Sequence, residues 1–380
     1  MIALIGYNTM QIGLYGMFGA AAQSLFQQAG INLPWWAYSY IAMASIAVLG
    51  YRQVDLSAKV LTLLVAAEYL CVLVLDVAII AKGGASGLSA APFAPSRVFA
   101  MSPSIGLVFA FACFVGFEAT TIYGEEAKDP KRTIPLATYF SVVLIGGFYM
   151  LSSWCLVNAI GTNKLVGFLG GLQDPTRFLF LMANRYAGHW LSLLMSVLFV
   201  TSVYAGLLAF HNSVARYFFA MGREGLLPQY FGKTHHVHQS PHTGSVAQSV
   251  LAAVVVLIFV IAKQDPVLSL FSWLTNVGTL GVIALMAIAS FAVPAFFARN
   301  RHLSDGIFSS FIAPVVAGAL LVTVLYFIVI NFSLLTGASK LLSYSLTGLI
   351  LFAAIIGGIL SIRLRAADPA RYKSIGFEKI

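Results

Sequence analysis

The chain has 380 residues, of which 59% are hydrophobic and only 9% charged, with a mean hydropathy of +0.89. A soluble domain of that length carries far more charge, so the composition excludes the soluble classes and points to a membrane protein. The net charge of +9 does not indicate nucleic acid, because the lysines and arginines are scattered through the short gaps between apolar runs and form no basic face.

Apolar runs of roughly 20 residues match a hydrocarbon core ~30 Å thick. Such segments fall at 2–28, 35–50, 58–81, 104–123, 134–160, 188–213, 244–263, 268–295, 308–332 and 341–362. The expected fold class is an all-α integral membrane protein with about ten transmembrane helices. The first run passes Gly19 without a basic start or a cleavage site, so no cleavable signal peptide is read there. Cys71, Cys113 and Cys155 each lie inside an apolar run and read as buried free thiols, with no disulfide framework. A charged turn, Glu125 to Arg132, separates the fourth and fifth runs. Before the sixth, Asp174-Pro175 reads as a helix start, with Asp as N-cap and Pro at the first helical position. Phe178, Leu179, Leu181 and Met182 follow at helical spacing, as in a short helix lying at the membrane interface.

With residue 1 on the cytoplasmic side, 15 of the 22 lysines and arginines fall on that side. The positive-inside rule therefore places both termini in the cytoplasm of a multi-pass plasma (inner) membrane protein, and an even span count agrees.

Ionisable side chains inside a span cost at least ~2.5–3.5 kcal/mol, so they are rare and usually functional. Glu68, Asp76 and Glu118 meet that description. Glu68 lies near mid-depth, whereas Asp76 is two turns closer to the outer surface, where water can reach it. Glu118 follows Gly116, a plausible break point because glycine tolerates unusual backbone angles. Broken helices expose N–H and C=O groups that transporters use to hold charged substrate ends; packing against a neighbouring helix is the other explanation of such a glycine. Polar residues also recur at helical spacing. Asn8, Gln11 and Tyr15 share one face, Thr275, Asn276 and Thr279 cluster in another run, and Thr201, Ser202, His211, Asn212 and Ser213 mark a third. Each stripe has two readings, interhelical hydrogen bonding or convergence on one cavity. The histidines His235, His236, His238 and His242 lack cysteine or acidic partners and read as a solvated loop, so no metal or cofactor is expected.

The stretch Gly116-Phe-Glu-Ala-Thr-Thr-Ile-Tyr-Gly-Glu-Glu-Ala-Lys-Asp-Pro-Lys-Arg-Thr-Ile-Pro-Leu-Ala137 resembles the sixth helix and following loop of the amino acid–polyamine–organocation permeases. Arg216-Tyr-Phe-Phe-Ala-Met-Gly-Arg-Glu-Gly-Leu-Leu-Pro228 is similar to the loop after the family's eighth helix. Pro369-Ala-Arg-Tyr-Lys-Ser-Ile-Gly376 resembles the tail of some bacterial members. The resemblance implies an inverted five-plus-five repeat (LeuT-type) fold with two further C-terminal helices. On that alignment residues 2–28 match the family's third helix, and the first two have no counterpart. Residues 2–81 are then the remainder of the first repeat, 104–295 the second repeat, 308–362 the two extra helices and 363–380 a cytoplasmic tail. The same alignment gives, as the alternative to a working permease, a truncated, transport-inactive fragment.

Carried over residue by residue, the resemblance places Val115, Gly116 and Phe117 in an unwound stretch that receives a substrate ammonium. Glu118 matches a position that is acidic in many members and linked to proton sensing. Glu68 matches one where some proton-coupled members carry a lysine in place of a sodium ion, so a glutamate departs from the pattern. Phe210 matches an aromatic gate over the substrate, and Phe111 stands beside Ala112, which replaces a common aromatic. The substrate-binding set expected is thus Asn8, Gln11, Phe111, Val115, Gly116, Phe117, Glu118, Phe210, Thr275 and Asn276, with Glu68 and Glu118 coupling protons or ions. The function implied is secondary transport of an amino acid or polyamine, proton-coupled or by exchange, with the lipid bilayer as its surroundings. A sensor would need a signalling domain, for which loops under ~35 residues leave little room. An enzyme would need a catalytic constellation, and the sequence contains no His-Glu-x-x-His and no Gly-x-Ser-x-Gly.

Overall fold

The structure, a computed structural model, describes residues 1–52, 58–99, 103–118, 129–172, 175–236, 240–303 and 306–375. In chain order its principal helices are α1 (Ile2–Gln27), α2 (Trp35–Tyr51), α3 (Ala58–Ala81), α4 (Pro103–Phe114), α5 (Pro130–Ile160), α6 (Phe178–Ala187), α7 (His189–Arg223), α8 (His242–Ile261), α9 (Ser272–Arg299), α10 (Ala313–Thr336), α11 (Lys340–Ala367) and the tail helix α12 (Pro369–Ser374). No strand occurs among the described residues. Wide π turns, Pro266–Phe271 and Phe308–Ile312, lead into α9 and α10.

Among the described residues, seven helices are long and apolar enough to cross a membrane. They also expose large apolar side chains: Leu63 is 71% exposed, Val143 74% and Leu341 79%. Helices apolar on their outer faces are stable only where the surrounding solvent is hydrocarbon. Three of the sequence segments fall short of that criterion for separate reasons. α1 interrupts its apolar run with Asn8, Thr9 and Gln11, α2 has 17 residues, and α4 has 12.

Several boundaries follow from local chemistry. Asp265 accepts hydrogen bonds from the backbone N–H groups of Val267 (2.8 Å) and Leu268 (2.6 Å), and Pro266 occupies the first position of the turn leading to α9. α7 runs to Arg223, ten residues beyond the apolar run read at 188–213, because a helix continues wherever its backbone bonds do, inside lipid or out. It stops before Gly225, whose φ is +80°. The helix start at Asp174 and the charged loop holding Glu125, Glu126 and Lys128 lie outside the described residues. α6 is not a purely superficial element. Met182, Ala183 and Tyr186 are buried, and the Tyr186 hydroxyl donates to the Ala159 carbonyl at 2.7 Å.

The chain forms two compact units, Met1–Asp55 with Val203–Ile380, and Leu56–Ser202; α7 contributes to both. In Leu56–Ser202, the core joins Cys71, Leu75 and Ile79 of α3, Cys155 and Ala159 of α5, Met182 and Ala183 of α6, and Leu191 and Met195 of α7. Cys113 departs from the expectation of a buried thiol, because α4 turns it outward and leaves it exposed. In the other unit α1 lies against α9 with almost no side-chain spacer. A Cβ on Gly13 would stand 2.9 Å from Thr275 Cγ2, and one on Gly278 would stand 2.8 Å from the Gly6 carbonyl. Small residues at such a contact let two membrane helices pack backbone to backbone.

Candidate functional site

Within Leu56–Ser202 the first feature is the interruption of the apolar run 104–123. The helix ends at Phe114 and Gly116 takes φ +114°, a conformation that L side chains rarely adopt. A Cβ there would meet none of the described residues within 4 Å, so it is the backbone conformation that requires glycine. The Gly116 N–H donates to Glu118 Oε2 at 2.8 Å, which closes the turn on itself. Phe111, Val115, Phe117 and Glu118 are all half-buried around this break. Five of the expected residues, 111 and 115–118, thus fall on the last turn of α4 and the break that follows it.

The second feature surrounds Glu68. Its Oε2 accepts from the Ser202 hydroxyl at 3.0 Å, a bond joining α3 to α7. The pair opens into a cavity of about 160 Å³. Cys71 and Val72 of α3, Leu179 and Phe180 of α6, and Met195 and Phe199 of α7 supply its otherwise apolar wall. Phe180 and Phe199 meet edge to face with centroids 5.8 Å apart. Glu68 Oε1 receives no hydrogen bond from any described residue, and no Lys, Arg or His pairs with the carboxylate among them.

The third is Asp76, which the sequence reading leaves within reach of water. It is instead 1% exposed. Ser152 donates to its Oδ2 at 2.7 Å, and Oδ1 is buried with no partner among the described residues. Depth along the helix axis suggested hydration, but lateral packing of α5 seals the group.

In the unit containing α1, the polar stripe of α1 enters a buried network. Gln11 is 0% exposed. Its Nε2 donates to Tyr15 Oη (3.3 Å) and to His211 Nδ1 (3.1 Å), and its Oε1 accepts from Gln248 Nε2. With an amide nitrogen facing Nδ1, the imidazole proton sits on Nε2, 2.8 Å from Ser245 Oγ. Gly50 of α2 passes so close that a Cβ would stand 2.6 Å from His211 Nε2. Asn8 donates to the Leu4 carbonyl at 2.8 Å and keeps Oδ1 buried with no partner among the described residues. Phe210 is half-buried, its ring 5.7 Å from that of Tyr7. Thr275 and Asn276, also half-buried, donate back to Phe271 and Ser272 of their own turn, each at 2.7 Å. Gln248, Ser245 and Gly50 were not singled out from sequence, although a glutamine inside an apolar run was a visible signal.

The histidine segment is only partly the solvated loop expected. His236 is exposed and His238 lies outside the described residues, whereas His235 and His242 pack against the Tyr51 ring at centroid distances of 5.2 and 5.9 Å. Among the described residues no group of three or more His, Cys, Asp or Glu side chains is placed to hold a metal ion.

Comparison with known proteins follows from this geometry. A family model described as "Amino acid permease" matches residues 2–360. Cationic amino acid transporter 4 of Homo sapiens is 29% identical over 180 residues, covering 47% of this chain and 26% of that protein. The branched-chain amino acid permease BcaP of Bacillus subtilis is 25% identical over 198 residues, 52% of this chain and 39% of its own length. The methylthioribose transporter of the same bacterium is 24% identical over 300 residues, 79% and 58% respectively. The chain thus spans between about a quarter and three fifths of the length of these relatives, which are named as transporters or permeases and not as enzymes.

Proposed function

We propose, from the premise that this chain belongs to the amino acid permease family, that it serves secondary transport of amino acids or related organic cations across the plasma membrane, coupled to protons or running as an exchanger. The observation that carries this reading is the backbone break at Gly116, with the helix ending at Phe114 beside an acid in an otherwise apolar run. Irregular backbone at membrane depth is tolerated where it lines a cavity, and its open N–H and C=O groups are the means by which transporters hold charged substrate ends. Phe111, Val115, Gly116, Phe117 and Glu118 are substrate-site residues in this reading, as are Asn8, Gln11, Phe210, Thr275 and Asn276. Glu68 and Glu118 are the ionisable groups that couple the cycle. About ten spans, both termini in the cytoplasm and a five-plus-five repeat ending at residue 295 complete the proposal, supported by the distribution of Lys and Arg. The relatives carry solutes as different as cationic amino acids, branched-chain amino acids and methylthioribose by name, so the substrate has to be found by assay.

Uptake of a labelled panel of amino acids and polyamines, in cells expressing the chain and with or without an imposed pH gradient, tests the reading. Saturable uptake of one class above the background of vector-only cells is expected. Uptake indistinguishable from vector across the whole panel would refute it.

A further inference from the structure

The cavity beside Glu68 has a chemistry of its own. Its wall is apolar and partly aromatic, and its polar elements are one carboxylate and one hydroxyl already bonded to each other through Oε2. Oε1 receives no hydrogen bond from any described residue. A carboxylate in hydrocarbon surroundings is stable when a cation or a proton completes it. A cation brought by a small organic molecule would gain the carboxylate at one end and apolar contact along its body. The Phe180 and Phe199 rings supply part of that apolar contact. A volume of 160 Å³ equals roughly five waters at ~30 Å³ each. A methylene or ammonium group needs about the space of one water, so a primary ammonium with about four carbons fills it.

We infer that this cavity is a binding subsite for a primary alkylammonium group, with Glu68 Oε1 accepting from the ammonium and the α6 and α7 side chains enclosing the alkyl part. The group can come from a free amine or from the side chain of a cationic amino acid, and free alkylamines against lysine methyl ester separate those sources. The choice of ligand rests on the reading of the chain as a carrier of organic cations, but the test measures binding and not transport. Protection without uptake would fault the transport reading alone. Uptake without protection would fault this one.

Cys71 lines the same cavity at 8% exposure, whereas Cys113 is exposed elsewhere. The rate at which a small thiol reagent labels Cys71, followed by peptide mass spectrometry on the full chain in lipid nanodiscs, therefore reports occupancy, with Cys113 as internal reference. Butylammonium should slow Cys71 labelling and leave Cys113 unchanged. Neutral butanol at equal concentration should not. Across the series from methyl- to hexylammonium, protection should rise to about four carbons and then fall. Glu68→Gln should weaken butylammonium by about tenfold or more, the usual effect of losing a charged hydrogen bond. Should that variant fold poorly, Glu68→Asp withdraws the carboxylate by one methylene and should shift the optimum from butyl- to pentylammonium. Equal protection by butanol, unaltered protection in Glu68→Gln, or no length optimum in the unmodified chain would each overturn the assignment.

Discussion

Gly50→Ala should unsettle the buried Gln11–His211–Ser245 network, although it adds a single methyl group. The new Cβ would stand 2.6 Å from His211 Nε2 and 3.0 Å from Ser245 Oγ, and both residues are buried with 0% and 1% exposure. Neither can retreat into solvent. Overpacking of this kind costs about 1–3 kcal/mol. Parting the 2.8 Å His211–Ser245 bond strands buried polar groups for about 1–3 kcal/mol more. The better helix propensity of alanine returns up to about 1 kcal/mol, which leaves a net loss of about 1–5 kcal/mol. Reversible unfolding of the purified chain by SDS in mixed micelles measures that loss. A double-mutant cycle isolates its origin. In a His211→Ala background the ring is gone and only Ser245 Oγ at 3.0 Å remains, so Gly50→Ala should cost clearly less than in the unmodified chain. The same loss in both backgrounds would show that the Gly50–His211 contact is not the cause.

Gly116→Ala places a side chain at φ +114° and should cost about 1–3 kcal/mol by backbone strain, with its Cβ meeting none of the described residues within 4 Å; reversible unfolding would check it, and unchanged stability would refute it. Phe210→Ala should raise the apparent substrate constant about two- to thirty-fold by losing a cation–aromatic contact, whereas Phe210→Trp should be tolerated; equal constants in initial-rate uptake would remove Phe210 from the site. Arg371 of α12 donates to the Arg223 carbonyl at the end of α7 and packs on Gly225. Arg371→Ala should loosen this junction by about 1.5–3 kcal/mol and speed tryptic clipping in the tail, while unchanged proteolysis would show that the contact does not hold it.

How much of this was legible depends on the range over which each property is set. Membrane class and the break at Gly116 are local. Hydropathy reads the solvent of each segment, and a glycine beside an acid marks where regular hydrogen bonding can stop. Asp265-Pro266 carries the same kind of local signal, an Asp that caps and a Pro at the first position, although it was not read from the sequence. The length of α7 was less legible, because Arg216 and Arg223 mark where lipid ends and not where the helix does. Asp76 failed for a related reason. Its depth along α3 was readable, but its burial comes from the packing of α5, whose Ser152 reaches it. The stripe Asn8, Gln11 and Tyr15 was visible as a face of α1, whereas its partners His211 and Gln248 stand 200 and 237 residues away from Gln11. Glu68 was marked by its charge alone; Ser202, 134 residues on, and the cavity they share are properties of packing.

Counterflow is the most direct trial of transport by this chain. Proteoliposomes containing the purified protein are loaded with millimolar unlabelled substrate and diluted into trace label, so that only an exchanging carrier concentrates the label transiently. The expected result is an overshoot that depends on internal substrate and is altered by Glu68→Gln in its pH dependence. Label entry equal to that of protein-free liposomes, with no response to internal substrate for any amino acid or amine tried, would contradict the assignment.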